Sequence, residues 1–202
     1  MKRLIFALGL MMLAIGCVGG GNNADDGKLR ETSAPYKVGD LYFEDGVLGV
    51  VFETKSGGMH GKIVSVDFEF MQWCDDEVCY NDTNAQNKYD GKINTIELMK
   101  LYNADMYYAA WWCANYGYGW YLPAKGELDN IYKNRSVINC TLVNYGFAPL
   151  NADMSLHWSS TENDKPQYND TRVNVWGVNM SNGDSMAYYK HQILTVRAVY
   201  AF

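Results

Sequence analysis

Gly119-Trp120-Tyr121-Leu122-Pro123-Ala124-Lys125-Gly126-Glu127-Leu128 is the stretch on which the fold turns. An aromatic-rich extended run meets Pro123, whose fixed φ and missing N–H suit the first turn of a helix. A helix over residues 124–133 should follow, because Leu128, Ile131 and Tyr132 share one helical face. Trp120 brings a large apolar area to the point where that helix must meet a sheet, and Trp158 and Trp176 do the same further along.

Upstream of this stretch, residues 38–43, 49–53 and 61–70 are rich in β-branched and aromatic side chains, with turn residues at Glu44-Asp45-Gly46 and Ser56-Gly57-Gly58. Asn94 or Thr95 can cap a helix through Leu101, and a second helix is expected over 105–116 with Gly117 as a left-handed terminus. Ser136 can cap a short fourth helix ending at Gly146. Downstream, residues 157–160, 173–180, 185–190 and 195–202 read as strands, and Asn182-Gly183 fits a tight hairpin turn. Strands, then helices, then strands give an α+β fold, antiparallel at both ends of the chain with two to four helices between. In Tyr188-Tyr189 one ring must face outward, whereas Tyr107-Tyr108 suits core packing.

Of the 202 residues, 48% are hydrophobic and 20% charged, with a net charge of −6, which excludes a disordered chain, a collagen and a basic nucleic-acid binder. Lys2 and Arg3, an apolar run over 4–15 and then Gly16-Cys17 read as a signal peptide of residues 1–16, too short to span a bilayer. Ala14-Ile15-Gly16-Cys17 resembles the bacterial lipobox, which implies a lipid on Cys17 and attachment to the membrane through it. Loss of Lys2 and Arg3 would take the charge from −6 to −8. Residues 17–34 are Gly-, Asn- and Asp-rich and form the lipidated linker, with a reach of roughly 20–25 Å. Residues 35–202 form a single domain. The expected address is the bacterial envelope, as an outer-membrane lipoprotein. Asp25-Asp26 resembles the export signal of surface-displayed lipoproteins, and reads equally as a solvated spacer.

Cys74, Cys79, Cys113 and Cys140 remain after lipidation, an even number in an oxidising compartment. Of the three pairings, Cys74 with Cys79 across a short acidic loop and Cys113 with Cys140 between two helices are preferred. A zinc site and free buried thiols are the alternatives. Arg197, between Val196 and Val199 in what reads as a central strand, needs a facing carboxylate, and Glu162 or Glu127 can supply it.

Three segments carry a family resemblance: 119–123 with Glu127-Leu128, then Trp158-Ser159-Ser160-Thr161-Glu162, and Val196-Arg197-Ala198-Val199. Their order and spacing resemble the bacterial C-type-lectin-like domains grouped with the formylglycine-generating-enzyme superfamily, in its adhesin C-terminal and "major paralogous" lipoprotein branch. Tyr36-Lys37-Val38-Gly39-Asp40 and His60-Gly61-Lys62-Ile63-Val64-Ser65 extend the likeness. The enzymes of that group use a cysteine pair near the C-terminus, and no cysteine follows Cys140, so an enzyme is the minority reading. Residues 161–172 are oxygen-rich, as in the calcium-dependent lectins, but lack the Glu-Pro-Asn or Gln-Pro-Asp triplet and a following Trp-Asn-Asp. No cofactor is therefore assigned and calcium is left open. The same loop can bind a glycan or protein without metal through Asn163, Asp164, Tyr168, Asn169 and Asp170, or can be a polar loop that binds nothing. The expected function is a non-catalytic, adhesin-like binding domain. A structural or fimbria-like envelope component and an uncharacterised enzyme of this fold are the alternatives.

Overall fold

The computed structural model describes residues 29, 31–81, 83–152, 154–163 and 174–202. The chain opens with β1 (Leu41–Glu44), β2 (Val47–Lys55), β3 (His60–Ser65) and β4 (Glu69–Met71). Helices α1 (Gly91–Met99), α2 (Tyr108–Tyr116), α3 (Lys125–Lys133) and α4 (Arg135–Asn144) follow. It ends with β5 (Leu156–Glu162), β6 (Asn174–Asn179), β7 (Ser185–Tyr189), β8 (Leu194–Val196) and β9 (Val199–Ala201). The α+β reading holds.

Two sheets form, one ordered β1-β2-β3-β9 and the other β4-β8-β5-β6-β7. The first is antiparallel throughout, and the second departs from that only where β5 meets β8 in parallel. The first hairpin turns on Asp45 and Gly46, both at positive φ, as a two-residue turn matched to strand twist requires.

Two sequence-predicted strands are each broken in two. The 61–70 run leaves the first sheet at Ser65 and resumes at Glu69 in the second, and the 195–202 run does the same at Arg197-Ala198. The breaks face each other. Ser65 N donates to Ala198 O at 2.9 Å, and Ala198 N donates to Ser65 Oγ at 3.0 Å. Both segments thus pass from one sheet to the other at a single crossing, which leaves carbonyls of Ser65 and Val66 outside either ladder for Arg197 to collect.

The first sheet is covered on both faces. Val51 and Ile63 enter a core with Trp73, Cys113, Trp120 and Trp158, whereas their neighbours Val50 and Val64 enter a second core with Leu128, Ile131, Ile138 and Leu142. Helices α3 and α4 close the second core, and α1 and α2 lie on the side of the first. Trp120, Trp158 and Trp176 are all buried.

Helix α1 starts earlier than expected. Asp90 is its cap, accepting from Ile93 N, while Asn94 and Thr95 are buried and tie the helix to Asn87 and Leu122. Gly117 ends α2 at φ 176°, an extended rather than left-handed conformation. Pro123 stands before the cap of α3, which is Ala124, and α4 begins after Asn134 rather than at Ser136. Thr32 is already tied to β1 by an N–H bond to Phe43 O and by accepting from Phe43 N.

Among the described residues no disulfide bond joins Cys74 to Cys79 or Cys113 to Cys140, against the preferred pairings. Cys113 lies in the first core on α2, and Cys140 rides on α4, whose buried residues belong to the second, so the sheet stands between their helices. Cys74 and Cys79 are buried beside Lys190. Burial raises the Cys74 thiol to about 12 and Cys113 well above the ordinary thiol range. Among the described residues no helix is long and apolar enough to cross a membrane.

Candidate functional site

Glu127, Glu162 and Arg197 are buried, and each is held by the scaffold. Glu127 is 2% exposed. Its carboxylate accepts from Lys62 Nζ at 2.6 Å, Tyr121 OH at 2.8 Å, Ala124 N at 2.8 Å and Gly91 N at 3.0 Å. It therefore stitches the N-termini of α1 and α3 to β3. Burial lowers the Lys62 ammonium, but the hydrogen bond and charge of Glu127 outweigh this and raise it. Gly91 is the residue that lets these parts close up, since a Cβ there would lie 2.3 Å from Leu122 O.

Glu162 does not face Arg197. It takes an ion pair from Lys190, which is fully buried, and a hydrogen bond from Thr83 Oγ1 at 2.7 Å. Lys190 also donates to Cys79 O at 3.1 Å and lies 4.8 Å from the centre of the Trp73 ring. Among the described residues Arg197 meets no carboxylate at hydrogen-bond distance: it donates to the carbonyls of Ser65, Val66, Ala148 and Pro149 at 2.8–3.3 Å and stacks over Phe68. The expected pairing of Arg197 with Glu162 or Glu127 is not found, since those carboxylates pair with Lys190 and Lys62. Arg197 sits at the crossing, not in a central strand, and loose carbonyls there outnumber carboxylates. Burial, with some relief from Asp67, lowers its guanidinium to about 10. Burial and the nearby Arg197 charge also hold His157 down to about 3, although its Nδ1 is bonded to Ser155 O.

Of the expected ligand-binding residues, Asn163 is buried at the end of β5, where its N–H donates to Asn174 O at 3.0 Å. Asp164, Tyr168, Asn169 and Asp170 lie outside the described residues, as does Cys17. Among the described residues no group of three or more His, Cys, Asp or Glu side chains converges to hold a metal ion.

The structure offers a concave site elsewhere. A cleft of about 330 Å³ opens between α1, α2 and the Gly119-Trp120-Tyr121 segment. Ile96, Met99, Ala114 and Trp120 form its apolar walls, and Lys92 and Lys100 stand among its lining residues. The Trp120 ring is braced by Tyr116 at 4.9 Å and Tyr200 at 5.5 Å. The hydroxyls that reach the cleft are already committed, Thr95 to Leu122 and Tyr121 to Glu127. What the cleft presents is apolar surface bracketed by two cations. Lys92, Ile96 and Lys100 recur at i, i+4 and i+8, so this row is visible in the sequence once α1 starts at Gly91 rather than at Asn94 or Thr95. Large apolar side chains are exposed nearby in the chain: Ile93 and Ile96 on α1, Trp111 on α2, and Tyr118 next to Gly119.

No family model and no curated protein matches the chain. A fimbrial protein from Bacteroides ovatus shares its fold, with a TM-score of 0.55 and 18% sequence identity over 83% of this chain and 49% of that one. The chain thus spans about half the length of that structure.

Proposed function

We propose that this protein is a structural, fimbria-like component of a bacterial cell envelope that works by contact with other proteins. The observation that carries this reading is the fold it shares with the Bacteroides ovatus fimbrial protein. Exposed aromatic side chains support it, Tyr118 and Tyr102 being fully solvent-facing and Trp111 43% exposed, a composition that suits protein interfaces. Saturation of Glu127 and Glu162 by internal donors supports a non-catalytic role, and the net charge of −6 argues against a nucleic-acid partner. The finer fold assignment, C-type-lectin-like, draws support from β9 joining β3, which brings the two ends of the domain into one sheet. Attachment through a lipidated Cys17 and placement as an outer-membrane lipoprotein complete the proposal.

Deletion of the protein from its host, followed by immunogold electron microscopy and protease shaving of intact cells, tests it. Loss of labelled surface structures is expected, and label confined to the interior of unbroken cells would overturn it. Mass spectrometry of the native N-terminus decides lipidation. A second reading keeps the excursion between β5 and β6 as an adhesin-like glycan or protein site, because Asn163 and Asn174 clamp its base. Replacing residues 163–170 by Gly-Ser and comparing glycan and matrix-protein arrays tests that reading.

A further inference from the structure

From the cleft between α1 and α2 we infer that it is a docking site for an acidic polypeptide segment bearing one large apolar side chain, supplied by a neighbouring protein of the envelope assembly. The inference rests on the fimbria-like reading for the source of the partner, and on the cleft alone for its chemistry. An opening of about 330 Å³ walled by Ile96, Met99, Ala114 and Trp120 has the size and polarity to receive an aromatic or long aliphatic anchor. With Thr95 and Tyr121 hydrogen-bonded inward, the walls offer little to a sugar, whose hydroxyls need partners.

Charge decides the rest. The chain as a whole is acidic at −6, yet the lining side chains that carry charge here are Lys92 and Lys100. Lys100 is held by Glu97 at 2.7 Å, a solvent-exposed pair one helical turn long, which is weak enough to exchange for an incoming carboxylate. Ile96 in the cleft wall is 46% exposed, and Trp111, one turn before the lining residue Ala114 on α2, is 43% exposed. A carboxylate on either side of an apolar anchor therefore matches the row formed by Lys92 and Ile96 on α1 and Lys100 at its C-cap.

The probe is a fluorescein-labelled Asp-Glu-Phe-Glu-Asp peptide, read by anisotropy against the full chain, with Lys-Lys-Phe-Lys-Lys and Asp-Glu-Ser-Glu-Asp as controls. Saturable binding of the first peptide alone, weakened by salt, is expected. The exposed double variant K92E/K100E should weaken it by about tenfold or more without a change in melting temperature, and A114W should block it by filling the cleft. Equal binding to wild type and K92E/K100E would overturn the inference. So would binding of laurate in place of the peptide, or self-association of the chain that K92E/K100E abolishes, which would give the cleft to a second copy. Failure of the peptide alongside intact labelled surface structures refutes the cleft and leaves the fimbria-like reading standing; the converse pattern does the opposite.

Discussion

Replacing Lys190 by Met removes a cation that no water reaches while keeping the length of its stem. Lys190 is 0% exposed, paired with Glu162, bonded to Cys79 O at 3.1 Å and seated over Trp73 at 4.8 Å. After the substitution the Thr83 bond at 2.7 Å is the side-chain partner Glu162 keeps among the described residues, so a buried carboxylate loses the counter-charge of Lys190. Breaking a buried pair from one side costs about 3–5 kcal/mol, while Met largely preserves the packing of the Lys methylenes. For a chain of this size that corresponds to a fall of roughly 6–20 °C in Tm. The double variant E162Q/K190M removes both charges and leaves Thr83 a neutral acceptor, so most of the loss should return. Urea unfolding at pH 7, followed by circular dichroism and by the fluorescence of the nearby Trp73, measures both variants and their coupling. A loss below about 1 kcal/mol in K190M, or a double variant no better than the two single changes added, would refute the claim that desolvation governs this pair.

His157 gives a pH prediction of definite sign. Its folded-state value of about 3 lies below the ordinary imidazole value of 6.5, so the unfolded chain binds a proton that the folded chain refuses. That contribution is complete above pH 6.5 and is lost as pH falls toward 3, amounting to roughly 2 kcal/mol by pH 5. H157N should flatten the acid limb of stability measured by urea titration, and an unchanged slope counts against the assignment. Replacing Gly91 by Ala forces a Cβ to within 2.3 Å of Leu122 O, so G91A should destabilise by about 2–4 kcal/mol, read by thermal melting, whereas K92A next to it should be near neutral. In R197K the charge survives but the fork that spans four carbonyls does not; a loss of about 2–4 kcal/mol is expected in denaturant titration. Cys74 and Cys113 should resist iodoacetamide at pH 8 in the folded protein and react at once in guanidinium, as followed by mass spectrometry.

The α3 segment was legible in sequence because two signals agree: Pro123 before the helix and an apolar face through Leu128 and Ile131. The opening strands were legible for the same reason, but the tight Asn182-Gly183 turn was not what forms: β6 and β7 are joined by the longer loop 180–184, in which Gly183 takes a positive φ. The two strand breaks were not, because residues 61–70 and 195–202 remain apolar and β-branched across the crossing, and only a long-range contact distinguishes Ser65 from its neighbours. Glu162 was correctly singled out, but its partner lies 28 positions away on Lys190, a residue that composition alone places in water. The α1–α2 cleft was hidden by a helix start misplaced onto Asn94 or Thr95, which obscures the lysine row.

The crossing at Ser65 and Ala198 also bears on how the chain reaches its folded state. Arg197 and Ser65 are 132 positions apart, yet neither sheet is complete until the last few residues have been laid against the first hairpins. Until residues 194–201 are in place the two layers cannot engage, and such long-range closure is slow by comparison with local pairing, so folding waits on this latch rather than on the first hairpins.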